Sequence, residues 1–224
     1  MQENKLTFLS GVQVFRDLTP NELMAMDRQL IMSTCEAGKI FYMPEDSGEA
    51  LFLLKKGRVQ LYRLSPHGKK LVVATLGAGA MFGEMSLVGQ GMHNTFAEAL
   101  DSCVLCVMSR SDVERLLQEK PDVAFRFLEA IGSRVRQLEV RLEEIAFKSI
   151  PSRLAALLLQ LAVDLGGAKQ VSGYTHQDLS EMLGTYRETI TQTLNDFKVD
   201  GLIDTGRKRI ILRDLEQLQT LADN

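Results

Sequence analysis

Thr175-His176-Gln177-Asp178-Leu179-Ser180-Glu181-Met182-Leu183-Gly184-Thr185-Tyr186-Arg187-Glu188-Thr189-Ile190-Thr191-Gln192-Thr193-Leu194-Asn195-Asp196-Phe197-Lys198 is the stretch on which the reading of this chain turns. Thr175 is placed to cap a helix, with Asp178 three residues on as the returning carboxylate. Small Ser180 lets a second helix come close, and Gly184 supplies the turn between the two, because glycine adopts positive φ at no steric cost. Leu179, Leu183, Ile190 and Leu194 face inward. That leaves Tyr186, Arg187, Glu188, Thr191 and Gln192 on the outer face of a second helix spanning 186–198. A plain helical hairpin explains the inward residues equally well. It does not call for Arg, Glu, Thr and Gln on exposed N-terminal turns, where a recognition helix meets base edges. Base readout is therefore expected from Arg187, Glu188, Thr191 and Gln192: Arg pairs bidentately with guanine, Glu accepts from a cytosine amino group, and Gln pairs with adenine. Thr175, Gln177, Thr185 and Tyr186 suit phosphate contacts, which position without reading sequence. Downstream, Leu202-Ile203-Asp204 and Arg209-Ile210-Ile211-Leu212 flank a turn at Thr205-Gly206-Arg207-Lys208. This reads as a basic hairpin, a wing whose Lys208 and Arg209 grip the phosphate backbone.

Upstream lies a long helix that Pro121 opens and Pro151 closes. Leu128, Ile131, Val135, Leu138, Leu142 and Ile145 are spaced 3, 4, 3, 4 and 3 residues apart, an a/d seam flanked by Arg134, Arg136, Arg141, Glu143 and Glu144. A helix that only covers its own domain shows a broader stripe, so the seam points to a homodimer. Earlier still, glycines at 38, 48, 57, 68 and 77 punctuate short apolar runs at intervals of 9 to 11 residues, the spacing of an antiparallel sandwich or roll. Gly57-Arg58-Val59-Gln60-Leu61-Tyr62-Arg63 alternates as a half-buried strand. Thr19-Pro20-Asn21-Glu22 and Ser111-Asp112-Val113-Glu114 read as capping boxes that start short helices. The expected architecture is α+β: an effector-sensing roll over 1–120, a dimerisation helix and hinge over 121–148, and a winged helix-turn-helix over 149–224.

Composition supplies bounds. Of 224 residues, 45% are hydrophobic and 25% charged, an ordinary globular balance. The net charge of −3, with 8 Lys/Arg against 10 Asp/Glu from Pro151 onward, advertises no nucleic acid, so that claim rests on the motif. No apolar run approaches a membrane span and no signal peptide opens the chain, so a cytoplasmic protein is expected. Cys35, Cys103 and Cys106 are odd in number and sit in apolar segments, so no disulfide framework is expected, and the Cys103/Cys106 pair reads as buried structural thiols. Cys103-Val104-Leu105-Cys106 would send its sulfurs to opposite faces of a strand. His67, His93 and His176 are too scattered for a metal cluster, His67 reads as a solvated turn residue, His93 as a solvated loop residue with ligand contact the alternative, and no nucleophile or phosphate-cradling loop appears. No metal and no enzymatic role are expected.

These pieces resemble the family of the cAMP receptor protein and the fumarate–nitrate regulator, through the glycine-punctuated roll, Phe82-Gly83-Glu84-Met85-Ser86-Leu87, the heptad helix, and Arg187-Glu188-Thr189 opening the recognition helix. The resemblance implies a jelly-roll-like cyclic-nucleotide-binding-type domain, a homodimer through the long helix, and a winged helix-turn-helix. It also implies binding of double-stranded promoter DNA at a two-fold symmetric site and contact with RNA polymerase, as an activator works. The effector pocket it implies comprises Gly83, Glu84, Met85, Ser86, Asn94, Thr95, Leu138 and Glu139, with Glu84 placed for a ribose hydroxyl. Family members that bind cyclic nucleotides follow this motif with an arginine and a serine for the cyclic phosphate, and those positions here are Asn94 and Thr95. The long-helix Thr and Ser that receive adenine become Leu138 and Glu139. A buried phosphate without its arginine costs heavily, which speaks against cAMP. An unidentified small molecule that re-aims the recognition helices through a hinge at Phe147 to Pro151, and an effector-independent regulator, both fit these residues. Gln192 stands where the cAMP receptor protein has a second arginine, so a different half-site is implied.

Overall fold

Short alternating apolar runs separated by turns give strands that must be covered on at least one face, and in the N-terminal half they build two four-stranded antiparallel sheets. The computed structural model describes residues 5–27, 30–84, 93–164, 169–206 and 208–223. The chain starts with helix α1 (Lys5–Gly11), which the sequence reading left out, and α2 (Pro20–Asp27). Thr19 and Glu22 close the expected capping box at α2: the Thr19 amide donates to Glu22 Oε2 at 2.7 Å. Strands β1 (Ile31–Cys35), β2 (Ile40–Tyr42), β3 (Ala50–Lys56), β4 (Val59–Leu64), β5 (Lys70–Leu76), β6 (Met81–Phe82), β7 (Phe96–Ala99) and β8 (Cys103–Ser109) follow. One sheet has the order β1-β8-β3-β6 and the other β2-β7-β4-β5.

Two apolar clusters fill the roll. One gathers Leu9, Phe15, Leu51, Leu53, Cys106 and Met108, and the other Tyr42, Leu54, Leu61, Phe82, Cys103 and Leu105. Cys103 and Cys106 thus face different cores, as strand geometry requires. Strand β4 departs from the expected half-buried alternation. Val59, Gln60, Leu61 and Tyr62 are all buried, because β4 is an inner strand between β7 and β5 and both its faces are covered.

Helix α3 (Arg110–Glu119) also starts earlier than the sequence suggested. Its cap is Ser109, whose hydroxyl accepts from the Asp112 amide, and not Ser111. Helix α4 (Pro121–Phe147) begins on Pro121, whose missing N–H costs nothing at a first helical position. Helix α5 (Ile150–Asp164) carries Pro151 in its first turn. Strand β9 (Gln170–Ser172), α6 (His176–Leu183), α7 (Arg187–Val199), β10 (Ile203–Gly206), β11 (Arg209–Leu212) and α8 (Leu215–Asp223) complete the chain. The expected hairpin is the larger part of a three-stranded sheet, β10-β11-β9. A separate core of Leu154, Leu158, Leu179, Ile190, Leu194 and Leu212 holds this half.

The chain divides into two compact units. One comprises Met1–Arg63 with Val73–Arg136, and the other Leu64–Val72 with Gln137–Asn224. The corrected cap is testable. Ser109→Ala should cost about 1 kcal/mol of stability and Ser111→Ala close to nothing, measured by urea unfolding; equal losses would return the cap to Ser111.

Candidate functional site

In the first unit, the family-like motif places Glu84 among apolar neighbours with 3% of its surface exposed. Its Oε1 accepts from Arg134 of α4, while Oε2 is buried with no hydrogen-bond partner among the described residues. Burial pushes the Glu84 carboxyl above its ordinary value, and the Arg134 guanidinium pulls the other way. The pair opens on a cleft of about 190 Å³ lined by Val12, Val14, Met81 and Ile131 among others. Gly83 precedes it at φ 90°, where an added Cβ would stand 2.6 Å from the Ala50 carbonyl oxygen. Side chains are excluded there by both backbone angle and space.

Tyr42 fills the neighbouring interior. Its hydroxyl is hydrogen-bonded to the Thr95 side chain and the Gly83 backbone, and its pKa is pushed up to about 12, first by burial and then by the Glu84 charge. His93 stacks on the Tyr42 ring at 3.5 Å and 5° between planes. It is 8% exposed, so the reading of a solvated loop histidine is corrected. Its backbone explains why: the His93 amide and carbonyl both bond across to the Glu45–Asp46 turn, pinning the ring inward. Burial lowers its pKa, against the Asp46 charge.

Asn94 is exposed, and its carbonyl accepts from Arg63 Nε at 3.0 Å. An arginine thus reaches this rim from β4 and not from position 94. Of the expected pocket residues, Gly83, Glu84 and Thr95 come together around Tyr42. Met85 and Ser86 lie outside the described residues, and Leu138 and Glu139 are exposed on α4 in the second unit. Tyr42, Arg63 and Arg134 were not read from sequence as pocket residues, Arg134 being placed only beside the heptad seam. A buried tyrosine hydroxyl and an arginine one strand away leave no periodic signature.

In the second unit, the helix pair is fixed by a complete capping box. The Thr175 hydroxyl accepts from the Asp178 amide, and Asp178 returns to the Thr175 amide. Gly184 takes the left-handed conformation at φ 69° and ends α6. Arg141 of α4 and Arg153 of α5 donate to the Met182 and Leu183 carbonyls, satisfying the open end of α6 where the helix dipole is negative. Neither arginine was read from sequence as structural. Tyr186 stands at the N-cap position of α7 with no side-chain capping hydrogen bond and is 66% exposed. The Lys69 ammonium of the β4–β5 turn, part of the same unit, lies 3.9 Å from its ring centroid and reaches the Gly184 carbonyl.

Arg187, Glu188 and Gln192 stand exposed on the first turns of α7, with Gln192 held by Asp196 at 2.8 Å. Thr191 is half-buried; its hydroxyl bonds the Arg187 carbonyl and faces His176 Nδ1 at 2.9 Å. Gln177 is exposed and paired with Glu181, and Thr185 is half-buried in the turn. Lys208 sits at φ 51° at the hairpin tip, beside exposed Arg209.

Residues 33–120 match the cyclic nucleotide-binding domain, and residues 152–221 the Crp-like helix-turn-helix domain. The global nitrogen regulator of Synechococcus elongatus is 31% identical over 208 residues, spanning 90% of this chain and 91% of that protein. The chain belongs to the CRP/FNR family of transcription regulators. The cyclic AMP receptor protein of Thermus thermophilus is 29% identical over 215 residues, 96% of this chain and 98% of that one. A crystal structure of a CRP/FNR-family regulator from Eubacterium rectale aligns at TM-score 0.82 and 24% identity over 94% of this chain and 98% of that one, which shows the shared fold. This regulator therefore joins a cyclic nucleotide-binding domain to a helix-turn-helix DNA-binding domain. Among its described residues no helix is long and apolar enough to cross a membrane.

The buried carboxyl gives this regulator a pH signature. Folded Glu84 keeps its proton above the unfolded value of 4.5, so the native state binds more protons there and stability falls as pH rises past that point. Glu84→Gln cannot ionise and should lessen the decline. Urea unfolding at successive pH values above 4.5 checks this, and an unchanged slope would show that Glu84 does not titrate in that range.

Proposed function

We propose that this CRP/FNR regulator is a cytoplasmic, non-enzymatic homodimer that reads a two-fold symmetric site in double-stranded promoter DNA and contacts RNA polymerase. Residues 1–120 sense, 121–148 dimerise and 149–224 bind DNA. The observation that carries the reading is the exposed Arg187, Glu188 and Gln192 face of α7, on a helix pair whose turn and cap are fixed. Arg187, Glu188, Thr191 and Gln192 read bases. Thr175, Gln177, Thr185, Tyr186, Lys208 and Arg209 hold phosphates, and the Lys69 ammonium beside Tyr186 adds positive charge at that corner.

The dimer reading is supported by the seam: Leu128, Val135, Leu138, Leu142 and Ile145 are exposed large apolar side chains in the single chain, and Ile131 is half-buried. Five such residues along one stripe are expensive to leave in water. Two recognition helices then meet half-sites about 34–36 Å apart.

For the effector, Glu84 offers an acceptor for a hydroxyl or ammonium group, and Arg63 offers a cation at the rim. The grip differs from one built on an arginine at position 94, and cAMP is not the ligand this reading favours. An effector acts by binding one conformation of the protein better than another.

Selection from a random duplex pool with purified protein tests the reading: a symmetric site supports it, and recovery of no preferred sequence, with and without cAMP, counts against it. Arg187→Ala should cost about 1–3 kcal/mol and relax one guanine per half-site, whereas Lys208→Ala should weaken all sequences alike and reduce the salt slope by about 1. A uniform loss in both variants would refute the division of roles. Leu142→Glu should yield monomers in sedimentation equilibrium; a dimer of wild-type strength would move the interface off the seam.

A further inference from the structure

Cys35 gains a role from its register. In the antiparallel ladder of β1 and β8, Cys35 lies directly opposite Cys103, on the last of five rungs that begin at Ile31 and Val107. Directly opposed residues in such a ladder stand about 4.5–5.5 Å apart at Cα, inside the roughly 4.4–6.8 Å span a disulfide bridges. Burial first, and then the neighbouring Cys35 thiol, raise the Cys103 pKa.

Beyond the rung the two segments stay joined. Ser102 Oγ donates to Glu36 Oε2 at 2.8 Å, and the Gly38 amide donates to the Ala99 carbonyl at 2.8 Å. Cys103 Sγ also points at the Asp101 and Arg58 carbonyls, at 3.2 and 3.5 Å. Cys106 faces the other core cluster and does not compete.

We propose that Cys35 and Cys103 are an oxidisable pair, a modification site in the effector domain that a peroxide converts to an intrachain disulfide. Cys35 is half-buried and Cys103 buried, so the oxidant meets Cys35 first. The Cys35 thiolate attacks a peroxide oxygen; the O–O bond breaks, one water leaves after protonation, and a sulfenic acid remains. Cys103 Sγ then attacks the Cys35 sulfur. The S–S bond forms, the S–O bond breaks, and the second water departs with the Cys103 proton. Two thiols lose two electrons and hydrogen peroxide accepts both.

Burial holds the Cys103 thiol above its ordinary pKa, so the second step is slow next to that of a dedicated peroxidase. A dithiol reverses the bridge by exchange. The ring so closed runs from residue 35 to residue 103 and contains Gly83, Glu84, Asn94 and Thr95. The proposal is independent of which effector binds there.

The test treats the reduced full-length protein with equimolar hydrogen peroxide, alkylates the remaining thiols in denaturant, and maps peptides by mass spectrometry. Two of the three cysteines should escape alkylation, joined as a Cys35–Cys103 peptide pair lighter by two hydrogens, with Cys106 alkylated and a dithiol restoring all three. Tm should rise on oxidation, because the bridge restricts the unfolded chain. Full alkylation of Cys35 and Cys103 after peroxide would overturn the proposal. Oxygen atoms on Cys35 with Cys103 free, or bridges between chains, would do the same.

Discussion

Apolar side chains that a chain does not cover itself are the constraint from which the architecture of this regulator follows. Helix α4 carries Leu128, Val135, Leu138, Leu142 and Ile145 in the open, while Val123 and Phe127 at its start are sunk in the core of the roll. Each Leu, Ile or Val moved fully out of water is worth about 1.5–3 kcal/mol, which is large against the 5–15 kcal/mol that stabilises a whole domain. A helix so divided has one end spent on its own fold and a long stripe available for association. In the proposed dimer, symmetry of the DNA site and symmetry of the protein become one requirement.

The other half is organised around polar satisfaction. A helix end leaves carbonyls with no partner, and at α6 these go to Arg141 and Arg153. Gly184 and the Thr175–Asp178 box fix the turn and the entry of the same short helix. The recognition face therefore stands on a base whose hydrogen bonds are nearly complete, and the freedom lies in the exposed side chains. Gln177 and Gln192 are each stored against a carboxylate one turn on, at 2.8 Å. In the proposed complex Gln177 meets a phosphate and Gln192 a base, each exchanging one hydrogen bond for another, so the net gain is small for a correct base, and a mismatch leaves the Gln192 amide and the Asp196 carboxylate short of partners.

Much of this was legible in residue order. The inward leucines, the glycine turn, the heptad stripe and the glycine-spaced strands are periodic or local, and periodicity survives in one dimension. The failures share a cause. Strand β4 reads as half-buried until its two neighbours are known, and His93 reads as solvated until the Glu45–Asp46 turn closes on it. The cap slipped from Ser109 to Ser111 because two serines two apart both satisfy the local pattern, and only backbone geometry separates them. Arg134 and Tyr42 reach the Gly83–Glu84 motif, and Arg63 the Asn94 carbonyl, from three separate elements, and no spacing rule links them.

Gly83 has a consequence for descent as well as for shape. With a carbonyl oxygen 2.6 Å from where any β-carbon would sit, that position is closed to drift, and the orientation of the adjoining carboxylate is inherited with it. Tyr42 and Thr95 are under no such lock, since their side chains and not their backbone angles make the neighbourhood, and exposed Asn94 contributes only its backbone carbonyl to Arg63. Lineages that change what this domain answers to would accumulate their substitutions there, on a frame that one glycine keeps from moving.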